Sequence, residues 1–327
     1  MTLSVPAEWA PHRAMWLGFP SHADLWAEDL AQAQAEAAAF ARALAVEGSE
    51  QVRLLVCGEA AEAAARALLA GVSGIEFVQG KFGDIWLRDT GPIFLTGQAA
   101  AAFRFNGWGG KYELEFDDTV AGQIAGHVGA ALAHNDFVLE GGALDHDGEG
   151  TVLTTRQCLL NPNRNPGWTE AAAEAALARA LGAKKVLWLG DGLMNDHTDG
   201  HVDNLARFVR PGVVACPIAM GGDDPNAEVY DETAARLREM RDAAGRQLEV
   251  LRIPSPGRVT DEDGEVVPAS HMNFLIANTA VIVPTYKPLA GQMAGQALAE
   301  IFRGRKVVTL ASNALLTGGG SFTASPS

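Results

Sequence analysis

Short apolar runs recur along this chain at a nearly constant interval, each behind a longer stretch with helical character. Alanine-rich or amphipathic stretches open near Glu59, Asp117, Thr169, Ala227 and Leu289, which are 58, 52, 58 and 62 residues apart. Behind them come IEFV (75–78), DFVL (136–139), VLWL (186–189), VLRI (250–253) and VVTL (307–310). Runs this short, rich in Val, Ile and Leu, predict strands covered on both faces. Thr169 with Glu170 reads as an N-cap followed by an acidic first turn, and Asp117 offers the same signal. Further strands accompany the series, as in NLARFV with VVACPI and NFLIAN with AVIVP. One more helix, over about 24–46, precedes it. Five repeats of helix plus strands predict an α/β fold closed into a ring, not an open doubly wound sheet. In a ring every unit delivers a strand end to one axis, so Asp89 and His201 can share a pocket. No linker divides the chain, and the polar stretch 254–270 reads as a surface loop or hairpin, so a single domain is expected.

Composition narrows the function classes. The 327 residues are 48% apolar, enough for a large core. A net charge of −15 argues against nucleic acid, which demands a basic surface, and suits a small cationic substrate. Alone, that charge need do no more than keep the protein soluble. No run of about 18 apolar residues is present, so no membrane span is expected. The start, MTLSVPAEWAPHR, lacks a secretory pattern. Cys57, Cys158 and Cys216 are an odd set without CxxC spacing, which predicts buried thiols in a reducing cytoplasm.

Candidate chemistry gathers in three segments. In DIWLRDTGP (84–92), an extended chain would place Asp84, Trp86 and Arg88 on one side and Asp89 on the other. A carboxylate such as Asp89 can accept two N–H bonds from a guanidinium, and Trp86 can offer a face to a planar cation. The plainer reading of this segment alone is an ion pair of Arg88 with Asp84 or Asp89 around a core tryptophan. Glu140 follows an apolar run and precedes two glycines; alone it reads as a solvated loop glutamate. In NDHTDGHVDN (195–204), His201 and Asp203 would face the same way on a strand, placing an acid–base histidine beside a carboxylate that keeps it protonated. A metal site built from His197, Asp199, His201 and Asp203 is the second reading, and a polar loop the third. Cys158, in an apolar context, reads as a buried thiol.

Taken together, PAEWAPHRAMWLGFP, DIWLRDTGP, NGWGGKY, EGG, TRQCLLNPNRNP, DGHVDN and LLTGGGS resemble the agmatine deiminases of the bacterial peptidylarginine-deiminase type, in the same order from Pro6 to Phe322. The resemblance implies a pentein fold, a five-fold pseudosymmetric α/β propeller spanning residues 1–327. It also implies hydrolysis of agmatine to N-carbamoylputrescine and ammonia by a cysteine thiolate, through a thiouronium intermediate. No metal or organic cofactor is implied, and a homo-oligomer is. By motif position, Asp89 and Asp203 would clamp the guanidinium, His201 would act as general acid and base, and Glu140 would orient the substrate. Trp86 would cover the guanidinium plane, and Asp199 would join it in binding substrate. A non-catalytic guanidinium or polyamine binder, an amidinotransferase and a peptidylarginine deiminase are the alternatives.

The tail departs from that pattern. Family members carry His-Cys after the glycine-rich stretch, whereas this chain reads Ser321-Phe322-Thr323-Ala324-Ser325-Pro326-Ser327, with Ala324 where the cysteine belongs. If His-Cys-Ile-Thr-Gln was encoded CAC TGC ATC ACC CAG, loss of one C leaves ACT GCA TCA CCC AGN, which can read Thr-Ala-Ser-Pro-Ser. A frameshift with truncation is therefore expected, together with near-complete loss of turnover.

Overall fold

The computed structural model describes residues 4–322 and 324–327 and folds them into five small sheets. The buried heart of each three-stranded sheet is its middle strand, Ala99–Arg104, Thr151–Thr155, Val213–Ile218 or Ala280–Thr285, and the four-stranded first sheet has two such inner strands, Met15–Gly18 and Val52–Val56. In four sheets an inner strand runs antiparallel to the middle one, and an outer strand runs parallel to it. A parallel pair needs a crossover, and a helix supplies it each time: Val120–Val128, Glu170–Leu181, Ala227–Glu239 and Pro288–Ile301.

The first sheet is built differently. Met15–Gly18 pairs in parallel with Val52–Val56 through helix Leu30–Val46, and Val52–Val56 pairs in parallel with Ile75–Gln79 through helix Glu59–Leu68. Its antiparallel edge is Ser325–Pro326, against Met15 and Trp16. Leu30–Val46 is thus the crossover of the first repeat and not a prelude, while Glu59–Leu68 attaches an additional strand. Two helices of similar composition conceal that difference of phase.

Burial also departs from the expectation. The outer strands Ile75–Gln79, Ala131–Val138 and Lys306–Ala311 are largely half-buried or exposed, and only Lys185–Leu189 is buried along most of its length. They form the rim, where a helix covers one face and water reaches the other. Thr169 caps its helix by accepting the Ala172 N–H at 3.3 Å. Asp117 does not cap; its Oδ1 accepts the N–H groups of Gly83 and Asp84. The 254–270 stretch bends into a hairpin-like loop bridged at Thr260 and Val266, as its composition suggests.

Apolar clusters fill the gaps between successive sheets. The first joins the two ends of the series, with Trp16 and Leu54 beside Leu275 and Ile282, and Phe322 stacks on Phe40 at 4.4 Å. At the centre stand short helical turns, each following an outer strand: Leu87–Thr90, Gly141–Ala143, Val202–Asn204 and His271–Asn273, every one touching the next. Beneath them lies Glu8, whose Oε2 accepts Arg88 at 2.8 Å and Arg207 at 2.7 Å and whose Oε1 accepts the Ile276 N–H. Burial alone would raise its pKa, but Arg207 and Arg88 outweigh it and hold it down to about 2. No helix among the described residues is long and apolar enough to cross a membrane.

Candidate active site

The segment from Asp84 does not stay extended. It turns helical at Leu87–Thr90, which brings Asp89 round to the same cleft as Asp84 and Trp86. Arg88 turns away to Glu8, so neither neighbouring aspartate is its partner. Asp84 accepts the Ile85 N–H at 2.7 Å and the Trp86 indole N–H at 2.8 Å, which fixes the indole. Burial and the nearby Asp117 raise the Asp84 pKa to about 7 despite those bonds.

Asp89 is held on both oxygens. The Gly142 N–H donates to Oδ1 at 2.9 Å, and the Trp108 indole N–H donates to Oδ2 at 3.1 Å. Trp108 reaches that position from a run of left-handed backbone, with φ of 66° at Gly107, 54° at Trp108 and 86° at Gly109. Glu140 is buried, not solvated, and accepts Arg164 Nε at 2.7 Å. It lies behind the cleft wall and does not line it.

His201 and Asp203 sit on the turn Val202–Asn204 rather than on a strand, yet both face the cleft. His201 Nδ1 is 3.8 Å from Asp89 Oδ1. Burial opposes protonation of His201, but Asp89, Cys158 and Asp203 overcome it and raise its pKa well above the ordinary range. Burial, countered by His201 and reinforced by Asp89, pushes Asp203 up to about 6. The three groups converge on Gly142: a Cβ there would lie 2.5 Å from His201 Nδ1 and 2.9 Å from both Asp203 Oδ2 and Asp89 Oδ1. Only a glycine leaves that point open.

The cleft encloses about 230 Å³. Trp26, Trp86, Trp108 and Tyr112 supply its aromatic walls, and Asp84, Asp89 and Asp203 its charge; no lysine or arginine lines it among the described residues. Such a pocket is built for a cation with an apolar stem. Gly320, from the tail, packs on the Trp86 ring: a Cβ there would lie 2.6 Å from it.

Asp199 does not reach this cleft. Its carboxylate is taken by Lys111 Nζ at 2.5 Å, Asn163 Nδ2 at 2.9 Å and Arg164 Nη1 at 2.5 Å. The quartet of His197, Asp199, His201 and Asp203 is not assembled around one point either. The trio of ligand-type side chains brought within 4.8 Å of one another is Glu140, Cys158 and His201, and Glu140 there is already paired with Arg164. Cys158 is fully buried, and burial raises its pKa despite His201, as expected of a structural thiol. Ala324 is fully buried and lines a second, smaller cavity with Arg88, Gly141 and His146, whereas Ser321 lines the main cleft. Thr323 lies outside the described residues.

The model of the Porphyromonas-type peptidyl-arginine deiminase family matches residues 4–325. The chain belongs to that family. The agmatine deiminase of Stutzerimonas stutzeri strain A1501 is 38% identical over 97% of this chain and 92% of its own. Among solved structures, the agmatine deiminase of Enterococcus faecalis superposes with a TM-score of 0.92 at 32% identity, covering 99% of this chain and 95% of that one. An agmatine deiminase of C. jejuni gives 0.87 at 26% identity, covering 99% and 96%. An amidinotransferase from Microseira wollei, at 0.57 and 11% identity, shares the fold alone. The ring of five sheets is the pentein fold that the motifs implied.

Sequence reasoning missed Trp108, Trp26 and Asn273 in the cleft, and Arg164 behind it. The signal for Trp108 was present in NGWGG, where glycines flank an aromatic residue. Nothing local marks Asn273 or Trp26.

Proposed function

We propose that this chain is built to bind agmatine and belongs, by lineage, with the hydrolases that convert agmatine and water to N-carbamoylputrescine and ammonia. The observation that carries this reading is the meeting of Asp89, His201 and Asp203 over Gly142, inside an aromatic cleft that no lysine or arginine lines among the described residues. Two carboxylates take the N–H groups of a flat guanidinium, Trp86 covers its face, and a protonated His201 stands ready to give a proton to departing ammonia. A bare amine at the far end of the substrate suits a cleft where, among the described residues, no lysine or arginine stands to meet a carboxylate, which favours agmatine over free arginine.

The second reading, a guanidinium or polyamine binder with little turnover, rests on a specific observation. None of Cys57, Cys158 and Cys216 lines the cleft, and by motif resemblance Ala324 takes the place of the family's cysteine. Loss of a covalent nucleophile leaves only binding and orientation. We place the 327-residue chain here: it takes agmatine and scarcely hydrolyses it. A cytoplasmic homo-oligomer remains part of the proposal. Calorimetric titration with agmatine, arginine and a peptidyl-arginine ester, run beside an ammonia assay, tests both halves. Heat with agmatine but no ammonia supports the reading; rapid ammonia release overturns the loss of turnover, and absence of agmatine binding overturns the whole.

A further inference from the structure

Two loops form the lips of the cleft, and their anchorage is unusual. One, 106–112, carries Trp108 to Asp89; the other, 195–199, runs into Gly200 and His201. Both hold non-glycine residues in the left-handed region, Trp108 at φ 54° in the first and Asn195 and Asp199 at 58° and 61° in the second. Such backbone costs energy and persists only where its surroundings hold it. Asp199 is where the two lips meet. Its Oδ1 accepts Lys111 Nζ from the opposite lip at 2.5 Å, and its Oδ2 accepts Arg164 Nη1 at 2.5 Å. Lys111 Nζ also donates to the His197 carbonyl at 2.7 Å, and Arg164 Nη2 to the Thr198 carbonyl at 2.9 Å. Arg164 Nε then reaches Glu140 at 2.7 Å.

We propose that Asp199 is a positioning residue that latches both lips of the cleft to the buried Arg164–Glu140 pair, so that seating Trp108 on Asp89 and aligning Glu140 beside His201 are one event. The inference deepens the proposed agmatine site and rests on that reading for its ligand. Lys111, Asp199, Arg164 and Glu140 form a line of alternating charge running from a partly exposed lysine to a carboxylate with side-chain exposure of 1%. Each interior member is satisfied from both sides, so removing one charge leaves a buried partner uncompensated. Burial would raise the Asp199 pKa, but Lys111, Asn163 and Arg164 outweigh it and hold it below the ordinary value, so the latch stays charged at neutral pH. Asp199 touches no ligand in this arrangement; it acts through Trp108 and Glu140.

The test is Asp199→Asn in the full chain, with Asp199→Glu and Lys111→Gln beside it. Agmatine affinity is read by calorimetry, and amide hydrogen exchange is read separately in 106–112 and 195–199 without ligand. The Asn variant is expected to exchange faster in both lips together and to bind agmatine about tenfold more weakly, the scale of one charge-assisted hydrogen bond. Lys111→Gln should move both lips in the same direction by less, and it remains informative if the Asn variant fails to fold. Faster exchange confined to 195–199, with affinity unchanged, would overturn the latch by reducing Asp199 to a brace of its own loop. If the parent chain binds no agmatine, the ligand reading fails, while coupled exchange of the two lips still supports the latch and uncoupled exchange still refutes it.

Discussion

Replacing Gly142 by alanine tests the centre of the site with one methyl group. Backbone strain does not enter, because Gly142 lies in the helical turn Gly141–Ala143 and not in the left-handed region. The new Cβ would stand 2.5 Å from His201 Nδ1 and 2.9 Å from Asp203 Oδ2 and Asp89 Oδ1. Ordinary contact begins near about 3.5 Å, so the overlap is about 0.6–1.0 Å at all three atoms. Asp89 cannot swing aside without losing the Gly142 or Trp108 donor. Overpacking of this kind costs about 1–3 kcal/mol. If that cost falls on the bound arrangement, agmatine affinity drops by about 5- to 150-fold. Isothermal titration at neutral pH reads the affinity, and a thermal melt reads stability alongside. Gly122→Ala is the control: a Cβ there meets nothing within 4 Å inside helix Val120–Val128, so affinity should hold and stability rise by about 0.5–1 kcal/mol. A Gly142→Ala variant that binds agmatine within twofold of the parent would refute the convergence of the three groups on the ligand.

Agmatine affinity should weaken as pH falls through about 6, because Asp203, raised there by burial, takes up a proton and loses its charge; Asp203→Asn should bind weakly and lose this dependence, and a parent profile flat over that interval would contradict it. Trp86→Leu removes the aromatic face and should cost about 1–2 kcal/mol of agmatine binding, and it should lower the melting temperature too because Trp86 is buried and its indole N–H bonds Asp84; an unchanged Kd in the folded variant would place the guanidinium elsewhere. Glu8→Gln strips the buried charge shared by Arg88 and Arg207 and should destabilise the fold by about 3–5 kcal/mol in urea titration; a loss under about 1 kcal/mol would deny Glu8 its role as hub.

The five-fold repeat was legible because strand and helix periodicities differ and recur at a fixed interval. Its phase was not, since Leu30–Val46 and Glu59–Leu68 both read as alanine-rich helices and nothing local says which one crosses over to complete the first repeat. Asp89, His201 and Asp203 could be named from motif order alone. Their geometry could not: extended alternation puts Asp84 and Asp89 on opposite sides, and a helical turn at Leu87 reverses this. Glu140 was read on its residues as solvated because its partner Arg164 lies 24 positions away and becomes a neighbour only through folding. By its position in the DGHVDN motif Asp199 reads as a substrate contact, yet its carboxylate is consumed by Lys111, Asn163 and Arg164.

The seam of the ring has a temporal consequence. Ser325 and Pro326 lie against Trp16 and Met15, and the Ser327 carbonyl accepts the N–H groups of Arg13 and Ala14 at 2.7 and 3.2 Å. During synthesis, strand Met15–Gly18 therefore waits for residues about 300 positions further along before that edge is paired. Until then the nascent protein is an arc with a bare border, the period in which helper proteins or unwanted neighbours have their opportunity.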